Sequence, residues 1–98
     1  MLIVAGHLEI ASDERDSYVA SCAEIVAAAR QSKGCLDFSV TADPIDPNRV
    51  NVYERWESEE AVEVFRGEGP SDDQLPAILA GRVSQYVVEG ERKLFDAA

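Results

Sequence analysis

Basic side chains are scarce in this chain. Its 98 residues include 9 Lys and Arg against 19 Asp and Glu, which gives a formal net charge of −10 at pH 7. A protein with this charge is repelled by phosphate backbones and by anionic lipid headgroups. The acidic residues are distributed over 13–16, 57–63, 72–73 and 89–91 and do not form one block. We therefore expect neither nucleic acid nor a membrane surface as a partner, and we interpret the charge as a source of solubility.

The chain also has no long apolar run. Its longest unbroken apolar stretches, such as Met1–Ala5 and Ile25–Ala29, are far shorter than the roughly 20 residues that span a bilayer. Met1 is followed directly by a strand-like pattern, without the basic segment that opens a secretory signal. The sequence therefore predicts a cytoplasmic protein without a transmembrane helix.

Cysteine and nucleotide-binding motifs are similarly sparse. The chain has two lone cysteines, Cys22 and Cys35, which agrees with a reducing compartment. We interpret both as small buried hydrophobic side chains, with a disulfide or a nucleophile as the alternative. The sequence contains no Gly-x-Gly-x-x-Gly, no P-loop and no Cys-x-x-Cys. No motif therefore indicates dinucleotide binding, nucleoside triphosphate binding or dithiol redox chemistry.

Alternating hydrophobicity predicts four strands. Leu2, Val4 and Leu8 alternate with less apolar residues in the first strand, and Leu36, Phe38 and Val40 are expected to share one face of the second. The turn between the second and third strands contains two prolines and an asparagine, which indicates an antiparallel hairpin. The predicted strands are 2–10, 35–42, 49–57 and 82–95.

Apolar residues at spacings of three and four predict the helices. The first, about 13–32, is expected to begin at a Ser12 or Asp13 cap and to end near Gly34 in a left-handed conformation. The second begins after Ser58 as its N-cap and extends to Phe65. A third, short helix is expected within 71–81, where Ser71 has capping-box spacing.

The order of these elements predicts one α+β domain, residues 1–98, with a ferredoxin-like βαββαβ fold. Its four-stranded antiparallel sheet would carry the helices on one face. The second face would still present apolar or uncharged side chains, which need a cover. We therefore expect a symmetric homodimer. The side chains assigned to this second face are Ile3, Ala5, Cys35, Ser39 and Tyr53.

Three segments around the hairpin and second helix form a specific pattern. They are Gly34-Cys35-Leu36-x-Phe38, Asp46-Pro47-Asn48-Arg49 and the run Tyr53-Glu54-Arg55-Trp56-Glu57-Ser58-x-Glu60-Ala61. Together they resemble the antibiotic biosynthesis monooxygenase (ABM) superfamily. The resemblance in length and element order covers essentially the whole chain.

The resemblance implies a dimeric α/β barrel of two four-stranded sheets, with a small-molecule pocket between sheet and helices in each subunit. Several members oxidise quinols or anthrone-like intermediates with dioxygen and without metal or flavin, while others degrade haem or handle small signal molecules. The implied function is a cofactor-independent monooxygenase acting on a small phenolic, quinol or anthrone-like substrate. The alternatives are a non-catalytic small-molecule-binding dimer, and an isomerase or hydrolytic enzyme on the same scaffold.

Trp56 lies at the position of the family's pocket tryptophan. Strand alternation places it on one face with Val50, Val52 and Glu54, where it could stack on an aromatic substrate or fill the core. Phe65 stands where many members carry a histidine in the second helix. The family's helix-borne base or haem ligand is therefore absent, and we predict neither a metal nor a cofactor.

Glu54, Tyr86 and His7 are the candidates for proton transfer, alongside Trp56. Glu54 on an apolar face requires a partner or a function; among arginines, alternation allows Arg82 and excludes Arg55. His7 is the sole histidine, the residue type whose unperturbed pKa is near neutrality, but alternation points it away from the helices, towards a partner sheet. Tyr86 could hydrogen-bond a substrate oxygen or simply pack in the core.

One further segment, Gly67-Glu68-Gly69-Pro70-Ser71, is rich in glycine. A phosphate-binding loop is disfavoured because a carboxylate occupies its centre. We interpret the segment as a flexible lid over the pocket mouth.

Overall fold

The computed structural model of the chain describes residues 1–67 and 77–97. Over these ranges the elements are β1 (Leu2–Ile10), α1 (Arg15–Ser21), α2 (Ala23–Gln31), β2 (Cys35–Ala42), β3 (Arg49–Trp56), α3 (Glu59–Gly67) and β4 (Ile78–Val87). In the same ranges, no helix has the length and apolar character required to cross a membrane. The first three strands have almost exactly the predicted boundaries.

The four strands form one antiparallel sheet in the order β2-β3-β1-β4. The register places Leu2 opposite Trp56 and Val4 opposite Glu54, so alternate side chains of β1 and β3 share a face. This order, with the helices packed on one side, is the predicted ferredoxin-like α+β fold. β1 is central, and β2 and β4 are the two edges.

The core lies between the helices and one face of the sheet, which we call the helix face. Buried side chains from β1, β2, β3, α2 and α3 meet there in one cluster. Trp56 is the largest of them and is 0% exposed. Because a buried aromatic ring removes a large apolar area from water, this cluster is the main source of stability on the helix face. The cluster consists of Leu2, Ala29, Phe38, Trp56 and Val62.

The predicted hairpin turn is organised by Asp43. One of its carboxylate oxygens accepts the backbone N–H of Asp46 at 2.8 Å and of Ile45 at 3.0 Å, and the other accepts the Asn51 side-chain amide at 2.9 Å. These hydrogen bonds, led by the one from Asp46, lower the pKa of Asp43 to about 2. The ionised carboxylate therefore replaces the missing backbone partners of the turn.

Arg15 joins the turn to the start of α1. Its Nη1 donates to the backbone carbonyls of Asp43 at 3.3 Å, Asp46 at 3.0 Å and Arg49 at 3.2 Å. The hairpin and the first helix are thus held together by one guanidinium over a sequence separation of about thirty residues.

The predicted helix 13–32 is interrupted. The structure contains two helices that meet at Cys22, whose backbone N–H is shared between the carbonyls of Tyr18 at 3.2 Å and Val19 at 3.1 Å. The Ser21 hydroxyl donates to the Tyr18 carbonyl at 2.6 Å and competes for the same acceptor, a known cause of helix bending.

The helix ends also differ from the prediction. Glu14, rather than Ser12 or Asp13, is the N-cap residue of α1, and it makes no side-chain capping bond. Gly34 does adopt a positive φ of 87°, but α2 has already ended at Gln31 with Ser32 as its C-cap. A Cβ at Gly34 would lie 2.6 Å from the Ala61 Cβ, so this glycine serves the turn and the close approach of α3.

The predicted face of Leu36 is wrong because β2 contains a register shift between Cys35 and Asp37. The extra residue turns Leu36 outward, where it is 43% exposed, and brings Cys35 opposite Trp56 on the helix face. Cys35 was predicted on the second face, yet it packs against the core cluster. The alternation of apolar and polar residues in the sequence does not reveal such a bulge.

The predicted third helix is wrong over its described part. Its first residues, 71–76, lie outside the described ranges, but from Ile78 the chain is the edge strand β4, which continues to Val87. β4 pairs with almost the whole of β1, and this pairing supplies backbone partners that outweigh the helical preference of a short apolar run. The strand also ends eight residues before the predicted limit at 95.

Ser58 acts as predicted at the start of α3. Its hydroxyl oxygen accepts the backbone N–H of Ala61 at 3.2 Å, which is the geometry of an N-cap. The helix then directs Val62 into the core and Phe65 against its edge.

Candidate functional site

An apolar cavity of about 210 Å³ opens between the helix face of the sheet and the helices α1, α2 and α3. Its wall is mostly hydrocarbon, with a few polar side chains. An apolar cavity of about 150 Å³ holds benzene, so this space suits one aromatic ring or a fused pair. The lining side chains are Leu8, Tyr18, Cys22, Ile25, Phe38, Val40, Val52, Glu54, Phe65, Arg66 and Val83.

Three aromatic rings support one wall of the cavity. Trp56 and Phe65 lie 5.4 Å apart between ring centroids with a 35° tilt, and Phe38 meets Phe65 edge-on at 5.8 Å. Phe38 and Phe65 form the cavity surface, whereas Trp56 is completely buried. Phe65 therefore occupies the place predicted for a stacked substrate on Trp56, and Trp56 supports the wall from within the core.

The Trp56 indole also holds the carboxylate of Glu54. Nε1–H donates to Glu54 Oε1 at 3.0 Å, which is possible because residues two apart in β3 share the helix face. Burial raises the pKa of Glu54, while the bond from Trp56 and the charge of Arg66 act in the opposite direction. Glu54 is thus a positioned carboxylate whose pKa is shifted towards neutrality, as a general base requires.

Tyr18 and Cys22 form a polar pair in the same cavity. Burial, followed by the neighbouring Cys22 thiol and a hydrogen bond with it, raises the pKa of Tyr18 to about 12. The tyrosine hydroxyl is therefore protonated at neutral pH. Tyr18 and Cys22 are four residues apart, a spacing that places two side chains next to each other on a helix.

Arg66 is the cation of the cavity lining. It lies in the last turn of α3, and its Nη1 donates to the Gln85 side-chain oxygen at 3.5 Å. Strand alternation had allowed Arg82 as a partner of Glu54. That prediction is wrong because β4 places Arg82 opposite His7, on the face away from the helices.

His7 and Tyr86 are separated from Glu54 and Trp56 by the sheet. The register sets Tyr86 opposite Ile3 and Arg82 opposite His7. Because paired residues share a face, Tyr86, Ile3, Arg82 and His7 all belong to the second face. This is the face predicted for His7. Tyr86 is 54% exposed on this face, so it neither packs in the core nor lines the cavity, in contrast to the two roles considered for it.

Two sequence hypotheses concern the surroundings of the cavity. Most of the predicted lid, residues 68–71, lies outside the described ranges. Among residues 1–67 and 77–97, no group of three or more His, Cys, Asp or Glu side chains is arranged to hold a metal ion. The polar side chains that line the cavity in the described ranges are Glu54, Arg66, Tyr18 and Cys22.

Solved structures with the same fold extend over nearly the whole chain. A protein of Deinococcus radiodurans, named as a proposed antibiotic biosynthesis monooxygenase, superposes with a TM-score of 0.78 at 18% identity, covering 98% of this chain and 100% of that one. Rv0793 of Mycobacterium tuberculosis has a TM-score of 0.74 at 18% identity, with 94% and 98% covered. At these identities the likeness establishes the fold.

A curated relative and a family comparison address the sequence itself. An uncharacterized protein of Synechocystis sp. is 23% identical over 62 residues, which are 63% of this chain and 42% of that protein. The chain therefore spans less than half of that relative. The model of the family described as "Antibiotic biosynthesis monooxygenase" matches residues 1–73, which include β1, the hairpin, α3 and the candidate base. The chain belongs to the antibiotic biosynthesis monooxygenase family.

Proposed function

We propose that this chain is a cofactor-independent monooxygenase that oxidises a small phenolic or quinol-like substrate with dioxygen. The observation that carries the proposal is Glu54, a carboxylate with a raised pKa that faces an apolar cavity and is held by the Trp56 indole. Membership of the antibiotic biosynthesis monooxygenase family supports the same reaction class. A base of this kind, beside an aromatic-sized cavity, has the properties that deprotonation of a phenol requires.

The proposed reaction begins with proton transfer from the substrate hydroxyl to Glu54. The resulting phenolate is electron-rich at its para carbon and reduces dioxygen directly, forming a carbon–oxygen bond there. One oxygen atom stays on the ring as a carbonyl and the other leaves as water, together with the ring hydrogen and the hydroxyl proton. A phenol and one dioxygen thus give a quinone and one water, and no external reductant is needed.

The cavity wall assists this chemistry through its mainly hydrocarbon surface. A substrate ring that fills the cavity displaces water from this wall, which strengthens electrostatic interactions there and limits protonation of a reactive anion by solvent. The Tyr18 hydroxyl, protonated because its pKa is about 12, provides a hydrogen bond for a substrate oxygen. Phe38 and Phe65 offer their ring faces and edges to the substrate ring.

We also propose that the working unit is a homodimer in which a second sheet covers the second face. Support comes from the exposed apolar side chains of the edge strand β4, where Leu79 is 65% exposed, and from Tyr86, which lies on the second face opposite Ile3 and is 54% exposed. A sheet edge and face this apolar are usually covered. Light scattering at micromolar concentration should give twice the 10.7 kDa chain mass, and a monomer would contradict the dimer.

A non-catalytic binding protein is the second candidate. It is favoured by the position of the single histidine, since His7 lies on the second face and leaves Glu54 as the one carboxylate in the described cavity lining. In that case ligands would bind the cavity without consuming oxygen.

Oxygen uptake by metal-stripped protein tests the proposal. One-, two- and three-ring phenols and hydroquinones should be compared with their autoxidation blanks in the presence of chelator. We expect uptake with one and two rings, and a sharp fall at three rings because the cavity holds about 210 Å³. No uptake above the blank with any substrate, combined with ligand binding, would replace the monooxygenase by the binding protein.

A further inference from the structure

We infer that Arg66 is a specificity-determining residue that binds an anionic group of the ligand, so that the cavity selects aromatic carboxylic acids over neutral aromatics. The inference deepens the proposed function, on which it rests for the identity of the site. It concerns binding alone and names the substrate class as a one- or two-ring aromatic that carries both a phenolic hydroxyl and a carboxylate.

The first observation is the bonding of Arg66. Its hydrogen-bond partner in the described ranges is the neutral side-chain amide of Gln85, at a long 3.5 Å. No carboxylate within 1–67 or 77–97 lies within 4.0 Å of it. A guanidinium offers five donors in a planar fork that matches a carboxylate, and most of these donors remain available at the cavity.

Other arginines of the chain contrast with this arrangement. Arg15 and Arg30 donate to backbone carbonyls, Arg49 bonds Asn51 and lies 3.7 Å from Asp43, and Arg55 lies 3.7 Å from Glu91. Each of these four has an oxygen partner that explains its position in the fold. Arg66 has only a weak one. Arg82 and Arg92 also have no side-chain partner in the described ranges, but of these three arginines only Arg66 lines the cavity between the sheet and the helices.

The second observation is the arrangement of charge around the cavity. Glu54 is partly buried in its wall, whereas Arg66 is an exposed side chain of the lining. The charge of Arg66 lowers the pKa of Glu54 but does not cancel the effect of burial. The two groups therefore interact electrostatically, although they form no ion pair within 4.0 Å. An aromatic acid fits this polarity when its ring lies against Phe38 and Phe65 and its carboxylate is directed to Arg66.

The opposite orientation is unfavourable. A ligand carboxylate placed next to Glu54 would bring two negative charges together in an apolar cavity. The same charge pattern therefore selects the acid and orients it, with the hydroxyl end towards Glu54. A neutral analogue leaves the guanidinium without an ionic partner and gains only the hydrocarbon contacts.

Fluorescence of the single tryptophan provides a direct test. Trp56 is the only tryptophan of the chain and contacts Phe65, which lines the cavity, so ligand binding should change its emission. Hydroxynaphthoic acid and its primary amide, which have nearly the same shape, should be titrated at pH 7 into wild-type protein, Arg66→Gln and Arg82→Gln. Arg82→Gln removes the same charge from the opposite face of the sheet.

We expect wild type and Arg82→Gln to bind the acid roughly 10- to 100-fold more tightly than the amide, the ratio typical of a charge-assisted hydrogen-bonded pair. In Arg66→Gln this ratio should fall to about one, with the affinity for the amide unchanged. Equal binding of acid and amide by wild type, or an acid preference that survives in Arg66→Gln, would overturn the inference.

The result is separate from that of the proposed oxygenation. A selective cavity that consumes no oxygen would refute the monooxygenase and keep the inference. Oxygen uptake with neutral phenols, without preference for the acid, would keep the monooxygenase and refute the inference.

Discussion

At the scale of single residues, the site is built around Glu54 and Trp56. Strand alternation was enough to predict that these two side chains share a face, because β3 is regular from Arg49 to Trp56. It could not predict the 3.0 Å hydrogen bond between them, nor that Arg66 of α3 lines the same cavity. Contacts between a strand and a helix depend on packing in three dimensions, which periodicity within one element does not encode.

Trp56→Phe should separate the two roles of the tryptophan. Loss of the Nε1–H donor removes an interaction that lowers the pKa of Glu54, so this pKa should rise. Because the base acts when ionised, the acidic limb of the pH–rate profile should move to higher pH. The smaller ring should also reduce the free energy of unfolding by about 1–3 kcal/mol, measured by urea denaturation.

Phe65→Leu is the control for this variant. It alters the same aromatic cluster without touching the donor to Glu54, so it should lower stability and leave the acidic limb in place. An unchanged limb in Trp56→Phe, or the same shift in both variants, would show that the indole does not tune the carboxylate.

At the scale of elements, the sequence predicted the first three strands, the hairpin and α3 correctly because each has a local signal. The alternation in β1, the prolines of the turn and the Ser58 cap are all readable within a few residues. Two of the errors have non-local causes, because the bulge at Leu36 and the strand at Ile78 depend on strand register and on pairing with β1. The break at Cys22 involves hydrogen bonds to Tyr18 and Val19 within one helical turn, which the apolar spacing does not encode.

The hairpin turn should respond to pH through Asp43. Its pKa is about 2 in the folded protein against 3.8 for the free group, so the folded state favours the ionised form. The stabilisation is therefore complete above pH 3.8 and is lost as the pH falls towards 2. Asp43→Ala should lower the melting temperature at pH 7, and this difference from wild type should shrink near pH 2.

Asp13→Ala serves as the comparison, since Asp13 is an exposed acid in the turn before α1. It should leave the melting temperature nearly unchanged at both pH values. An Asp43→Ala protein as stable as wild type at pH 7 would mean that the turn does not depend on this carboxylate.

Gly6 should be essential for attaching β4 to the sheet. A Cβ at this position would overlap the backbone carbonyl of Arg82 in the neighbouring strand, and backbone cannot give way as a flexible side chain can. Gly6→Ala should therefore cost about 3 kcal/mol of unfolding free energy in urea denaturation. Gly67→Ala, where a Cβ meets nothing within 4 Å, should show no loss, and equal stability of both variants would contradict this packing.

At the scale of the whole molecule, the fold and the family were predictable because motifs around the hairpin combine with element order. The polar set of the site was predictable only in part. Alternation placed Glu54 and Trp56 together and His7 on the second face, as found, but it gave no sign that Tyr86 also lies there or that Tyr18 and Arg66 line the cavity. The molecule thus presents two distinct faces. One forms the apolar cavity that contains Glu54, Tyr18 and Arg66, and the other carries His7, Arg82 and Tyr86.

The most direct test of this account is the rate of oxygen consumption by metal-stripped Glu54→Gln. Glutamine keeps an oxygen that can accept the Trp56 N–H, so the cavity should be preserved while the base is lost. We expect kcat to fall on the order of 10²- to 10⁴-fold, the usual contribution of a general base, with Glu57→Gln, an exposed neighbour in the chain, unaffected. A Glu54→Gln protein as active as wild type would contradict the central claim that this carboxylate starts the reaction.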